Sequence, residues 1–552
     1  MPSLEELAFK HALANATEHG GKANAGSVVG RVVAEAPELK KDMAAVGKAA
    51  AAAVAKVNKL SPDEQKKELE KMGGVKKPEK EERVGLPELP GAVKGKVVMR
   101  FAPNPNGPIH IGHTRQALLN DEYTKRYKGK FVLRFDNTDP KTEAKRPMKE
   151  AYDWIRRDLK WLGVKVAKEA IASQRLKIYY EHFEELLRMG KAYICTDNVL
   201  DWREKKRMGE ACRHRELPPE VQLEEWRKML SGEYQEGDAV ARVKTDLSHP
   251  DPAARDWAAF RIIGRPEHPI VGNKWKVWPM LDFASAIDDH ELGTTHIIRG
   301  VDLQISEVRQ RFLYDYMGWT YPATLTTGKL FIEGGIVSKS KIFAGIKSGE
   351  FTGWDDPRLA TISALRRRGF QPEAIRAFIV EIGPNPSNIV IDMANLEAHN
   401  RKVIDKISNR YFFVAEPIEI TLDKIPIKVA KAPIYPGKRT YRSIPVSKKV
   451  FVDKIDFVAN KGKEVRLMHM ANFVLDKKAV YTGLPVKETP KMHWVGQKHI
   501  PVKVVRQDGK IIEGIGEPEL KKVKVDQMVQ FERISFARCD STKPLVFYLA
   551  HR

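Results

Sequence analysis

The chain has 552 residues, enough for about three to five domains. Lys+Arg number 95 against 72 Asp+Glu, a formal net charge of +23, with 42% hydrophobic and 30% charged residues. That balance excludes a disordered chain and a membrane-embedded one, and it points to a large polyanion as partner. Cys195, Cys212 and Cys539 are three scattered cysteines, which excludes a disulfide framework and fits a reducing, cytoplasmic setting. MPSLEELAFK carries acids where a secretion signal needs a basic start, and the Ala-rich residues 43–57 are interrupted by Lys48 and Lys56, so neither secretion nor a membrane span is expected.

In chain order, residues 1–72 favour helix: LEELAFKHALANA is amphipathic, and SPDEQKKELEKM offers Ser61 as N-cap with Pro62 in the first helical position. Residues 73–95 mix Gly, Pro and dense charge, the composition of a linker. KVVMRFA (96–102) reads as a strand. Pro103, Pro105 and Pro108 then delay any helix until after Ile109, where HIGHTRQALLNDEYTKRY begins, and the strand KFVLRFD follows. Strand, loop, helix and strand in that order predict a parallel α/β sheet with a nucleotide crevice at the strand ends. The region from about 196 to 274 is charged and helix-prone and reads as an insertion, after which the strand signal resumes at VWPMLDFASAIDD. Helical character is expected from Pro357 to about Ile382. From about Arg410 short apolar runs punctuated by Gly and Pro predict β-barrels, including KVFVDKIDFVA. Residues 431–470 hold ten Lys/Arg against three Asp/Glu, which places basic charge on the barrel surface.

Two segments carry chemistry. In RFAPNPNGPIHIGH (100–113) a Pro/Gly-rich loop delivers the chain to a helix N-terminus, where free N–H groups and the dipole favour phosphate, and His110 and His113 stand three residues apart. In LFIEGGIVSKSKI (330–342) Gly334 and Gly335 make a flexible approach to Ser338, Lys339, Ser340 and Lys341, donors on a mobile loop able to close over a triphosphate. Taken singly, the histidines also read as a surface pair and the second segment as a solvated turn.

Together, and in this order, the two segments resemble the signature pair of class I aminoacyl-tRNA synthetases: HIGH at residues 110–113, and a KMSKS-type loop written Ile336-Val337-Ser338-Lys339-Ser340, with Ile336 where the family has lysine. LRFDNTDP (133–140), DFASAIDDHELGTTHIIRG (282–300) and GWDDPRL (353–359) resemble, more specifically, the archaeal glutamyl-tRNA synthetases of the glutamyl/glutaminyl branch, and the likeness runs over essentially the whole chain. It implies a multidomain α/β protein. A Rossmann-like class I synthetase catalytic domain (96–330) would carry an α+β acceptor-stem insertion (about 196–274), followed by the KMSKS loop and a helical stem-contact region (331–405). C-terminal all-β anticodon-binding barrels (406–552) and a small helical N-terminal extension (1–72) on the 73–95 linker would complete it.

The implied reaction is ATP-dependent activation of L-glutamate, with Mg2+ on the nucleotide, and transfer of the acyl group to the 2′-hydroxyl of the terminal adenosine of tRNA-Glu. In archaea such enzymes also serve tRNA-Gln. By position in the motifs, His110, His113 and Lys339 would be catalytic. Pro103, Gly107, His110, Gly112, His113, Ser338, Lys339 and Ser340 would bind ATP, and Arg100, Ala102, Asn104, Asp136, Leu281, Ser285 and Arg299 would bind the amino acid. Arg100 and Arg299 would grip the carboxylates, and Asp136 would meet the ammonium. Arg299 favours glutamate, because the glutaminyl branch has an uncharged residue there; the alternative for both arginines is an ion pair supporting the sheet. Where relatives place a tyrosine after WPT, this chain reads Trp278-Pro279-Met280-Leu281, so that hydroxyl is missing or comes from elsewhere.

Cys195, Asp197, Cys212 and His214 match the place of a zinc ribbon in relatives, with Asp197 where the family has cysteine, so a Zn2+ site and a metal-free loop are both open. A monomer is expected, with the N-terminal extension free to contact other translation proteins. The competing functions are a glutaminyl-tRNA synthetase, a HIGH-type small-molecule nucleotidyltransferase and a non-catalytic tRNA-binding protein.

Overall fold

The computed structural model describes residues 3–18, 20–72, 85–141, 145–332, 338–435, 437 and 439–552. Gly334, Gly335, Ile336 and Val337 of the expected phosphate loop, and 73–84 of the expected linker, lie outside the described residues. By contacts the chain divides into Met1–Val84 and Gly85–Arg552.

The first unit is helical. Asn24 caps Ala25–Glu35 by accepting from Ser27 N, Asp42 caps Met43–Val57, and Ser61 and Glu64 form the capping box of Pro62–Lys71. Val46, Ala50, Ala53 and Val57 recur at helical spacing and bury one face of the Ala-rich helix. No described helix is long and apolar enough to cross a membrane.

The second unit is built on a parallel sheet with strand order Lys168–Ile171, Lys130–Phe135, Val98–Phe101, His296–Gly300, Ala323–Thr327. Phe131, Leu133 and Phe135 fill its core beside Met99, Phe101 and Ile298, which is why these runs read as apolar strands. The helix Ile111–Arg126 links the two strands at 98–101 and 130–135. Sequence order reverses between Val98–Phe101 and its neighbour His296–Gly300, and a crevice opens past the carboxyl ends of such a pair.

The region of about residues 196–274 shares a sheet with strands on either side of it. Its antiparallel sheet runs Ala192–Cys195, Val240–Val243, Ala258–Ile262, Val277–Pro279, taking in strands on both sides of that span. The expected strand from Val277 onward is therefore short and belongs to this sheet; the rest is the helix Leu281–Glu291. Short apolar runs fit either element, and here Phe283, Ala284 and Ile287 pack a helical face on Phe183, Trp257 and Phe260.

Helical structure after Pro357 starts only at Ile362, capped by Thr361, and continues through Pro372–Ile382 and Met393–Ile404. Beyond it lie two barrel-like seven-stranded sheets with separate cores. The chain enters the first at Asn409–Tyr411, builds the second from Pro417 to Gly496, and returns to complete the first. Within the expected strand KVFVDKIDFVA, Asp453 accepts from Ile455 N and turns Lys454–Asn460 into a helix. The two lobes are tied by Arg442, whose buried guanidinium pairs with buried Glu517 at 2.9 Å and with Glu532, and lies over the ring of Phe412.

Candidate active site

The Pro-rich loop meets the segment 360–362 as a laced edge: Ile111 N donates to Ala360 O at 3.0 Å and Ile362 N to Ile109 O at 2.8 Å. This fixes where the helix Ile111–Arg126 can begin, and His110 is its N-cap. Gly107, at φ +149°, lies so close to Trp354 that a Cβ would meet the indole at 2.9 Å, so only glycine lets the loop pass.

His110 and His113 do more than share a helix face. His110 Nδ1 accepts from Gly112 N–H at 3.1 Å, His113 Nδ1 accepts from His110 N–H at 3.5 Å, and the rings stack with centroids 3.7 Å apart. Burial, with the nearby Lys339 ammonium second, holds His110 down to about 3; burial, then His110 and Lys339, keeps His113 well below the ordinary range. Both rings are neutral at physiological pH. With Nδ1 accepting, the ring proton sits on Nε2, and each imidazole is a donor there.

Lys339 opens the helix Lys339–Lys347, so it sits on a helix start where a mobile loop was expected. Its Nζ donates to Asn104 O (3.1 Å), Asn106 Oδ1 (3.0 Å) and Gly107 O (3.4 Å), all on the loop that leads to His110. Burial brings the ammonium down to about 7. Ser338 and Ser340 hydroxyls bond one another at 3.0 Å beside it. Pro103 and Gly107 lie buried in the loop, where Pro103 O accepts from Asp136 N at 3.0 Å.

On the sheet side of this loop is a cavity of about 120 Å³. Arg100, Ala102, Asp136, Leu281, Ser285 and Arg299, all expected from sequence, line it. Asn104 does not: its side-chain amide donates to Lys145 O and its backbone carbonyl accepts from Lys339, which places it with the residues around Lys339. Gln116, Arg134 and Gln310 line the cavity without having been expected. Gln116 follows HIGH by one turn and Arg134 stands in LRFDNTDP, so the motifs held a signal for both; Gln310 lies in a helix with no motif.

The three arginines differ in charge balance. Arg100 grips Asp289 with Nε and a terminal nitrogen at 3.0 and 3.2 Å, the ion pair named as its alternative. Arg134, fully buried, lies 3.4 Å from Asp136 and 3.3 Å from Asp288. Arg299, 4% exposed, makes no ion pair among the described residues; it donates to Gln310 Oε1 at 2.9 Å and Tyr321 Oη at 2.8 Å, and its Nε has no partner. Tyr321 thus supplies a hydroxyl beside the pocket, from a position far from Leu281 in sequence. Gln310 is oriented by donating to Ser285 Oγ at 2.6 Å and Asp282 O at 3.1 Å. A buried guanidinium without a counter-ion is costly, which sets Arg299 apart from Arg100 and Arg134.

In the insertion, Cys195 Sγ, a carboxylate oxygen of Asp197, Cys212 Sγ and a ring nitrogen of His214 lie within 4.8 Å of one another. The contact with Cys212 brings the Cys195 thiol down to about 6, and the Cys212 thiol goes up. His214 Nδ1 is buried without a hydrogen-bond partner, 3.4 Å from Asp197. The donor set suits zinc, although Lys205 holds Asp197 at 2.9 Å.

The catalytic-domain model of the class I (E and Q) tRNA synthetases matches residues 96–406, and the anticodon-binding models of the same class match 408–488 and 481–540. The chain is 48% identical to a glutamate–tRNA ligase of Thermococcus kodakarensis over the full length of both. It is 49% identical to that of Pyrococcus furiosus over 97% of each, and 44% identical to that of Methanosarcina mazei over 100% of this chain and 99% of the relative. A crevice at the reversal of a parallel sheet, capped by paired histidines and backed by all-β lobes matching anticodon-binding models, is thus the site of a chain that belongs to the class I tRNA synthetases for glutamate and glutamine.

Proposed function

We propose that this chain activates L-glutamate with ATP and transfers it to tRNA-Glu, acting as a glutamate–tRNA ligase like its relatives. The observation that carries the amino-acid assignment is Arg299, a buried guanidinium with neutral neighbours, which a γ-carboxylate satisfies and a glutamine amide does not. Asp136, half-buried at the cavity wall, receives the substrate ammonium. Arg100 and Arg134, already balanced by aspartates, set the field of the pocket.

In the activation step the glutamate α-carboxylate attacks the α-phosphate in line, the bond to the pyrophosphate leaving group breaks, and the adenylate forms. His110 and His113 donate from Nε2 to phosphate oxygens, with the N–H groups of the helix start behind them. Lys339 exchanges its three neutral oxygens for the departing pyrophosphate. Magnesium on the nucleotide would neutralise triphosphate charge; the hydrogen-bond partners of His110 and Lys339 are backbone N–H groups and carbonyl or amide oxygens, so nucleotide and water oxygens would hold the ion.

The all-β region 406–552 is assigned to the anticodon arm, the insertion to the acceptor end, 331–405 to the stem, and residues 1–72 to docking of another translation protein. Zinc is assigned to Cys195, Asp197, Cys212 and His214 as a structural ion bracing the insertion. The test is charging of separate tRNA-Glu and tRNA-Gln with labelled glutamate or glutamine. Glutamate on tRNA-Glu is expected, label on tRNA-Gln would add it as a second substrate, and glutamine as the preferred amino acid would refute the assignment.

A further inference from the structure

His268 belongs to none of the motif segments and lies in the loop that joins the strands Ala258–Ile262 and Val277–Pro279. The loop folds back on itself: Gly272 N–H donates to His268 O at 2.8 Å, and Glu267 N–H donates to Asn273 Oδ1 at 3.0 Å. Glu267 holds φ +43°, a left-handed conformation that a residue with a Cβ rarely adopts. The next side chain is turned inward, and His268 is 2% exposed.

The imidazole has a partner at each nitrogen. Nδ1 accepts from Ile270 N–H at 3.2 Å and Val271 N–H at 3.3 Å, so the ring proton sits on Nε2, which donates to the backbone carbonyl of Asn137 at 3.0 Å. Burial holds the ring down to about 4, which keeps it neutral at physiological pH. The ring also stacks on Trp278, with centroids 5.3 Å apart. Asn137 directly follows Asp136, and Trp278 precedes Leu281 by three residues; Asp136 and Leu281 both line the cavity of about 120 Å³. Asn137 is fully buried and anchored by its side chain as well: its amide donates to Tyr152 Oη at 2.7 Å and Ser173 Oγ at 2.9 Å, and its Oδ1 accepts from Ser173 N–H at 2.8 Å.

We propose that His268 is a positioning residue for the amino-acid pocket, tying the backbone next to Asp136 to the strand that leads into Leu281. The inference rests on the assignment of this cavity to glutamate. His268 is not part of the cavity wall and acts through the residues that are. A carboxylate that receives an ammonium must be held in place, and Asp136 has a peptide anchor on either side: its own N–H on Pro103 O at 3.0 Å, and the carbonyl of Asn137 on His268. A misplacement of about 1 Å at such a residue spoils the geometry of the substrate contact.

Two variants separate this tie from the turn that the same ring caps. In His268→Asn the side-chain oxygen takes the place of Nδ1 and keeps the turn, but the amide is too short to reach Asn137. In His268→Gln the amide nitrogen takes the place of Nε2 and keeps the donor to Asn137, but the turn loses its acceptor. In the full chain with tRNA-Glu present, KM for glutamate, KM for ATP and kcat are measured by pyrophosphate exchange. His268→Asn is expected to raise KM for glutamate about fivefold or more, the worth of one hydrogen bond, and to leave KM for ATP within about twofold. His268→Gln should stay closer to the parent. Where thermal unfolding shows that His268→Asn does not fold, His268→Met, which fills the space without a donor, takes its place in the comparison with His268→Gln. A KM for glutamate in His268→Asn no higher than in His268→Gln, or a rise shared equally by KM for ATP, overturns the proposal, because a ring that only supports the fold gives either result. Asp136→Ala tests the cavity separately. An unchanged KM for glutamate in that variant refutes the amino-acid assignment, whereas a raised one beside an unmoved His268→Asn refutes the role of His268 alone.

Discussion

His113 caps the backbone of His110: its Nδ1 accepts from His110 N–H while His110 Nδ1 accepts from Gly112 N–H, and with both Nδ1 atoms accepting, the stacked rings carry their protons on Nε2. This makes them neutral hydrogen-bond donors and unsuits them for general-base chemistry, since His110 takes a proton only near pH 3.

His113→Asn, which keeps a neutral donor, should therefore exceed His113→Ala in activation rate by about tenfold or more, the worth of one hydrogen bond to a charged group. Equal inactivity of the two variants at every pH would favour proton transfer instead.

The same depressed values bear on stability. Between the ordinary histidine range near 6.5 and the folded value of about 3 for His110, the unfolded chain binds more protons, so this stability is present above about pH 6.5 and is lost as pH falls. Thermal unfolding of the parent should weaken from pH 6.5 to 4 more steeply than that of His110→Asn, which does not titrate. Parallel curves would contradict the burial of a neutral ring.

Lys339→Ala should cost about 2–4 kcal/mol of transition-state stabilisation in adenylate formation, the range for a lost charge-stabilising donor. Affinity for tRNA, measured by filter binding, should hardly change. Near-normal activation would remove Lys339 from the chemistry.

Arg299→Gln should lower kcat/KM for glutamate by about 1.5–3 kcal/mol or more for each charge-assisted bond lost, and should lower it less for glutamine. Tyr321→Phe should shift the same ratio less, because the hydroxyl touches Arg299 and Gln310 and leaves the guanidinium charge in place. An unchanged ratio in Arg299→Gln would place amino-acid selection elsewhere.

Elemental analysis of chelator-washed protein should find about one zinc per chain, and Cys195→Ser with Cys212→Ser should abolish it. Less than about a tenth of an equivalent ends the zinc assignment.

Several features are local enough to read without a structure. Ser61 followed three residues later by Glu64 is a capping box in sequence and in space, and the prolines at 103, 105 and 108 leave His110 as the cap of the next helix. The alternation of apolar runs and a helix around HIGH specifies a parallel sheet, because propensity and phosphate geometry act there over a few residues. The same local rules fail where tertiary packing arbitrates: Leu281–Glu291 became a helix and Lys454–Asn460 another, since burial against Phe260 in one case and a cap from Asp453 in the other outweighed short-range β character. Charge balance was equally out of reach. Arg100 and Arg299 have the same side chain and each stands in a motif, yet only the fold brings Asp289 to the first and the neutral Gln310 and Tyr321 to the second. The residue type states that a guanidinium is present; which one lacks a carboxylate partner depends on residues elsewhere in the chain that the packed sheet and helices bring within 3 Å.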